Sequence, residues 1–427
     1  MTVTLVPALP PLPTPVRPDP LGVLGVPGEI NLDHAASAPC ARAAADAVAE
    51  LLPWYASVHR GAGALSRRCT LAYERARQTV ADFVGARPTD HVIFTRNTTD
   101  ALNLLARALP AGTTVVTFGG EHHANLLPWP RGSVRLPVPD SPADAVRSLT
   151  LALGELARDA RPGLPVLVAV TGASNVTGEC WPVAELARVA HRHGARILVD
   201  AAQLAPHAPV DLTALDVDYL ALSGHKLYAP FGTGVLAGRA DWLDAAPPYL
   251  AGGGATSHVG AATHQVRWVT GPARHEGGTP NLLGAVALAA VCAAFSAADR
   301  TALHAREQAL LARLRSGLAA LPGVVELRTF GPDAPRVGIV SFVVAGRDSA
   351  EVAAHLAARH RIGVRDGLFC AHPLTRRLLT EAAVRSGRTD LPPTALRASL
   401  GLGTTEHEID TLLTALAALA RPRRSGS

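Results

Sequence analysis

The sequence predicts an α/β fold: a mostly parallel, doubly wound sheet in a large domain, followed by a smaller α+β domain. Three observations carry this. Between about residue 90 and residue 240, short apolar runs alternate with stretches of helical apolar spacing. Pro165–Val170 (PVLVAV) is apolar throughout, as a strand covered on both faces requires. Polar residues able to do chemistry gather where the strands end, which is where open α/β sheets bind ligands.

His91–Arg96 (HVIFTR) is the first expected strand of this region. Thr99–Leu109 follows as a helix, with Ala101, Leu102, Leu105 and Leu109 on one face. Thr114–Phe118 and Pro165–Val170 are the next strands. Val183–His193 has helical spacing, and Arg196–Asp200 (RILVD) is again a strand. Asp218–Leu222 and Gly234–Ala237 complete the series. Strands alternating with helices imply a sheet covered on both faces. Leu282–Ala298 is the longest apolar run. It is mostly alanine and reads as a buried helix, not a membrane span.

Beyond residue 300 the pattern changes. Thr301–Leu321 is expected as a long amphipathic helix linking two domains. Arg336–Val344, Glu351–His360 and Ile362–Val364 read as strand, helix and strand, and Thr405–Leu419 as a closing helix. The expected division is 28–300 for the large domain, whose N-terminal segment could join the small one, and 301–421 for the small domain. Eight prolines within residues 1–27 indicate an extended tail without the features of a secretory signal. Residues 422–427 form a short basic tail.

At 427 residues, the chain is long enough for one large or two ordinary domains. Apolar residues make up 48% and charged residues 18%, which excludes a disordered chain. Cys40, Cys69, Cys180, Cys292 and Cys370 are widely spaced and contain no CxxC pair, so neither a disulfide framework nor a metal-ligand cluster is expected. Free cysteines and the lack of a signal point to the cytoplasm. The net charge of +5 is dispersed and not interleaved with aromatics, which argues against nucleic-acid binding.

The basic residues are more informative. Of the 40, one is lysine, Lys226, and the other 39 are arginine. Arginine does not lose its proton in a protein. A buried lysine does, and its free amine attacks carbonyl carbons. Chance survival of a surface lysine is the alternative, and the neighbours decide between them. The strand before Lys226 runs into Ser223, Gly224 and His225, which suit a phosphate. Asp200 ends the strand RILVD 26 residues earlier. A carboxylate there needs a positive partner, such as a protonated pyridine nitrogen, unless it caps a helix. Asn97, Thr98, Thr99 and Asp100 open the helix after HVIFTR, where hydroxyls and free N–H groups suit a phosphate or form an ordinary cap. A Schiff-base lysine with an aspartate facing a pyridinium nitrogen is the binding pattern of pyridoxal phosphate.

These residues stand within a longer ordered set: LDHAASAP (32–39), VHRGAGALS (58–66), EHHANLLPW (121–129), SNVTGE (174–179), VDAAQ (199–203), SGHKLYAPFGTG (223–234), GGTPN (277–281), RDGLFCAHP (365–373) and LRASLGLGTT (396–405). Across roughly residues 30–420 the chain resembles the class V aminotransferase family of fold type I pyridoxal-phosphate enzymes. Within it the sequence is most similar to the Suf-type cysteine desulfurases and their selenocysteine lyase relatives.

The resemblance implies that Lys226 holds pyridoxal 5′-phosphate covalently and that Asp200 pairs with its ring nitrogen. Asn175 and Gln203 would bond the ring hydroxyl, and Thr98, Thr99, Ser223 and His225 the phosphate. Thr279 would reach the phosphate of a neighbouring subunit, so the expected assembly is a homodimer. His123 matches the histidine that stacks on the cofactor and moves protons, with His122 a structural neighbour. Arg397 matches the arginine that clamps the substrate carboxylate, and Arg365 and the pair His59–Arg60 are further substrate-site candidates. Cys370 matches the nucleophile that takes sulfur from L-cysteine, leaving L-alanine and a persulfide for a sulfur-acceptor protein or thiol. The alternative is a C–S or C–Se lyase, aminotransferase or epimerase that works without a Cys370 persulfide. The resembled loop carries Thr after its Arg and a His pair before its Cys. Here Asp366 and Leu368–Phe369 stand in those places, and Pro39–Cys40 follow LDHAAS.

Overall fold

The computed structural model describes residues 21–159, 164–262 and 264–420. Most of the expected proline-rich tail and the whole basic tail lie outside them. The part of the proline-rich stretch that is described is anchored rather than loose: Leu21 is buried in the main core, Val23 bridges to Ala41, and Leu24 N donates to Cys40 O at 2.8 Å.

A seven-stranded sheet forms the centre. Its strands run in the order Asp90–Thr95, Gly234–Arg239, Tyr219–Ser223, Arg196–Asp200, Val166–Thr171, Thr114–Phe118 and Val134–Leu136. Gly234–Arg239 is antiparallel to both neighbours, and the remaining pairs are parallel. Side chains alternate between two cores. Val168 and Val170 face one, Leu167 and Ala169 the other, and all are fully buried. That double burial is why the strand is apolar at every position. The helices Arg42–Leu51, Ala64–Phe83, Val183–Arg192 and Leu282–Ala297 pack into the first core, and Thr98–Ala108 and Ala240–Ala245 into the second.

The alanine-rich run is the buried helix expected. Leu282–Ala297 packs against Arg42–Leu51 and Ala64–Phe83, so apolar residues surround it on most sides. No single described helix is long and apolar enough to cross a membrane.

A four-stranded antiparallel sheet follows, in the order Val324–Glu326, Ile339–Val344, Ala395–Ser399 and Arg365–Gly367. The helices Arg300–Ala320, Ser349–His360 and Glu406–Ala420 enclose a core of their own with Phe342, Leu396 and Leu412. Ile30–Asn31 pairs in parallel with Ile362–Gly363, and Leu32 lies in that same core. Among the elements that the sequence-based expectation lacks are the strands Arg365–Gly367 and Ala395–Ser399 and the helix His372–Ser386. The first two are short and carry Arg365 and Arg397, whose charge hides the strand pattern. All three border the site. Buried Arg336 ties the segment after Val166–Thr171 to the small sheet, with Nη2 3.0 Å from Glu179 and Nη1 2.8 Å from Glu326.

Candidate active site

Register brings the polar strand ends to one edge. Thr171 pairs with Asp200 and Asp200 with Ala221, while Ser223 and Thr95 both pair with Gly234. Beyond that edge lies a cavity of about 430 Å³. Thr98, Thr99, Asn175, Asp200, Gln203, Ser223, His225, Lys226, Arg365, Cys370 and Arg397 all line it, so most of the expected site residues meet here.

One end is the N-terminus of the helix Thr98–Ala108, where unpaired backbone N–H groups concentrate positive potential. Asn97 caps it by accepting from Asp100 N at 3.0 Å. Thr98 N and Oγ1 both lie 2.8 Å from Ser223 Oγ, which couples the helix start to the strand end. Gly234 makes this approach possible, because a Cβ there would come within 2.5 Å of Asn97 Cα. Thr99 is exposed into the cavity beside His225.

The turn that carries Lys226 is tightly fixed. Gly224 N donates to Thr233 O at 2.7 Å, and a Cβ on Gly224 would stand 2.6 Å from that oxygen. Tyr228 is left-handed at φ 56°, and its buried hydroxyl accepts from Leu402 N at 2.9 Å. The Lys226 side-chain amine makes no hydrogen bond with any described residue. Burial lowers its ammonium to about 8, and the nearby Asp200 opposes that shift.

Asp200 is 5% exposed, and its carboxylate accepts one hydrogen bond among the described residues, from Ala202 N at 2.9 Å. Burial pushes its carboxyl up, opposed by Ala202 N and then Lys226. Behind it Glu121 is fully buried and accepts from Asn125 Nδ2 at 2.8 Å and Thr171 N at 3.0 Å. Burial raises Glu121 to about 8, so it is largely uncharged at neutral pH. The sequence reading passed over it.

The two adjacent histidines exchange their expected places. His122 lines the cavity and His123 does not. The short helical turn His123–Asn125 is the cause: His122 caps it, with Nδ1 accepting from Ala124 N at 3.0 Å. Nε2 is then the ring nitrogen that carries hydrogen in neutral His122. Burial, and after it the positive charge of Lys226, pull His122 down to about 4. His123 is turned to the Cys370 loop instead, where its N–H donates to Cys370 O at 2.8 Å.

Cys370 is exposed, and it and Phe369 have φ of 51° and 53°, in the left-handed region. The surroundings hold this turn: Asn175 Nδ2 donates to Phe369 O at 2.7 Å and Ala371 N to Leu368 O at 3.0 Å. Asn175 therefore anchors the cysteine loop, and Gln203 Nε2 likewise anchors Ala35 O at 2.8 Å. Arg397 is 3% exposed, with Nη1 donating to Asn175 O at 2.9 Å and Nη2 3.1 Å from Asp33 Oδ1. Arg365 reaches Asp33 less closely, at 3.8 Å. Asp33, within LDHAASAP, was missed as a partner of both.

His59, Arg60 and Thr279 do not join this cavity. They line a second one of about 570 Å³ with Gly254 and Glu276. His59 is pinned to the helix Ala64–Phe83: its Nε2 lies 2.7 Å from Glu74, and its N–H donates to Thr70 Oγ1 at 2.7 Å. Within one chain, His59 and Arg60 are thus held away from Arg397. Among the described residues no group of side chains is arranged to hold a metal ion.

The geometry agrees with comparisons to known proteins. Residues 30–412 match the family model of the class-V aminotransferases. A cysteine desulfurase of Dickeya dadantii is 38% identical over 398 residues, covering 90% of each chain. One from Klebsiella pneumoniae is 37% identical over 396 residues, covering 90% of this chain and 92% of its own. Among solved structures, a cysteine desulfurase of Thermococcus onnurineus superposes with a TM-score of 0.79 at 33% identity, covering 92% of this chain and 94% of that one. An Escherichia coli cysteine desulfurase in an S-sulfonic acid form gives 0.75 at 31% identity over the same shares.

Proposed function

The chain belongs to the class-V aminotransferase family, and we propose that it is a pyridoxal-phosphate-dependent cysteine desulfurase that takes sulfur from L-cysteine onto Cys370 and releases L-alanine. The observation that carries this is one cavity in which the sole lysine, a buried carboxylate, a carboxylate-binding arginine and an exposed cysteine meet.

The residues fit the cofactor. Asp200 is a buried carboxylate with a single backbone donor, and a protonated ring nitrogen would complete it. Thr99, His225 and the helix N-terminus suit a phosphate, and Lys226 offers an amine with no competing bond among the described residues. When bound, pyridoxal 5′-phosphate supplies an aldehyde for amines and a ring that draws electron density from the substrate's carbon atoms.

The protein's own residues do the rest. Arg397 binds the substrate carboxylate and so orients the molecule. Lys226, lowered to about 8, takes the Cα proton as a free amine. His122, rather than His123, exchanges protons within the cavity through Nε2. Cys370 Sγ attacks the substrate sulfur and keeps it as a persulfide. The exposure of Cys370 leaves that persulfide open to an acceptor protein or thiol.

Thr279 and Arg60 lie in a cavity of their own, which supports a homodimer in which they complete a partner's site. A cytoplasmic location accords with five free cysteines.

The test is direct. The purified protein, loaded with cofactor, is mixed with L-cysteine; alanine is assayed and the Cys370 peptide weighed. Stoichiometric alanine with one added sulfur on that peptide supports the proposal. Turnover retained by Cys370→Ser would refute it, in favour of a lyase or another reaction without a persulfide.

A further inference from the structure

Cys370 has unlike neighbours on its two sides. Before it stand Leu368 and Phe369, which are apolar. Two residues after it stands His372, the first residue of the helix His372–Ser386. His372 is exposed and lines the Lys226 cavity together with Cys370. Its imidazole makes no hydrogen bond with any described residue.

His123 holds His372 in place. The two rings stand edge-on, 4.5 Å between centres and 74° apart in plane. His372 N–H faces His123 Nε2 at 3.4 Å, and His123 N–H donates to Cys370 O at 2.8 Å. His123 therefore braces the segment from Cys370 to His372 at two points, and its own Nε2 is turned to the backbone. His372 keeps both ring nitrogens open.

We infer that His372 is the base for the Cys370 thiol, accepting the Sγ proton as Cys370 attacks the substrate sulfur. This rests on the desulfurase reading above. The step balances. The Sγ–H bond breaks and its proton passes to the His372 imidazole. The Sγ–S bond forms as the substrate Cβ–S bond breaks. The electron pair of that bond stays with carbon, and the sulfur becomes the outer atom of the persulfide. Cysteine and thiol become alanine and persulfide, so the proton on His372 matches the extra hydrogen of the alanine methyl group. No external oxidant or reductant is needed.

The rivals are weaker on chemical grounds. Arg365 does not accept a proton, and the carboxylate of Asp366 is too weak a base to take one from a thiol efficiently. Lys226 is engaged at Cα. Imidazole exchanges protons readily near neutral pH. His123, from the turn after Thr114–Phe118, stands against the His372 ring, and the charged and titratable groups that share the cavity with it and Cys370 are Arg365 and Asp366 from the adjoining strand and His122, Asp200, His225, Lys226 and Arg397.

The experiment uses the full chain loaded with cofactor. Iodoacetamide labelling of Cys370 is followed by peptide mass from acid to mildly alkaline pH in the wild type, His372→Gln and His372→Gly. We expect His372→Gln to slow labelling at neutral pH about tenfold and to change its dependence on pH. Single-turnover persulfide formation should fall about 100-fold with KM unchanged. Added imidazole should restore part of the rate in His372→Gly. Cofactor absorbance checks that each variant is folded. A labelling profile that superimposes on the wild type overturns the inference. Cys370→Ser separates the two claims: if it still produces alanine, the desulfurase reading falls and this inference with it. If it is inactive while His372→Gln behaves as wild type, the assignment of His372 alone falls.

Discussion

Asp33 Oδ1 lies 3.1 Å from Arg397 Nη2, so the guanidinium expected to bind the substrate carboxylate already has an anionic neighbour. That neighbour offsets the desolvation of a nearly buried cation. It also competes with an incoming carboxylate. We therefore predict that Asp33→Asn lowers KM for the amino acid several-fold while lowering the melting temperature. Arg397→Lys keeps the charge but loses the fork and should raise KM about tenfold. Steady-state kinetics and thermal unfolding of both variants check this. A raised KM in Asp33→Asn would show that Asp33 aims the guanidinium instead of competing for it.

The lowered Lys226 makes a pH prediction. Its free amine predominates above about 8 and becomes scarce below. Covalent capture of pyridoxal phosphate by the cofactor-free protein should therefore slow about tenfold for each pH unit below 8 and level off above it. Stopped-flow absorbance reads this rate. Lys226→Ala should show no borohydride-stable cofactor at any pH. A flat capture rate through neutral pH would contradict the assignment.

The exchange of the two histidines can be tested in the same way. His122→Gln should cut turnover about 100-fold, because it removes the ring that lines the cavity. His123→Gln should leave the bound cofactor's spectrum unchanged, since that side chain lies outside the cavity lining. A spectral shift in His123→Gln with none in His122→Gln would return the ring-facing role to His123.

Six of the seven strands of the central sheet were legible because most of their side chains are apolar and buried on both faces; Val134–Leu136, three residues with Arg135 at its centre, was not. Arg196–Asp200 was expected with the observed bounds, and Asp200 and Lys226 with it. The strand Ala395–Ser399 was not, since a buried Arg397 interrupts its apolar character. The order of His122 and His123 was equally invisible. A tight turn decides which neighbour faces inward, and two identical residues give no periodicity to read. The partnership of Asp33 with Arg397 spans the length of the chain and leaves no local signal.

The last prediction concerns stability. His34 is 6% exposed, and its Nδ1 has no hydrogen-bond partner among the described residues. It lies near His207, whose Nδ1 is 2.6 Å from Glu307, and near the Tyr228 ring. Burial first, and His207 second, pull His34 down to about 4. The folded value is below the unfolded one of about 6.5, so the unfolded chain binds this proton first as pH falls. The contribution is complete above 6.5, is lost progressively toward 4 and is constant below that. A shift of this size corresponds to about 3 kcal/mol. His34→Gln cannot titrate. Between neutral pH and about pH 4 the wild type should therefore lose about 3 kcal/mol more than the variant in urea unfolding. Parallel losses in the two proteins would show that His34 takes up its proton in the fold as easily as in the open chain.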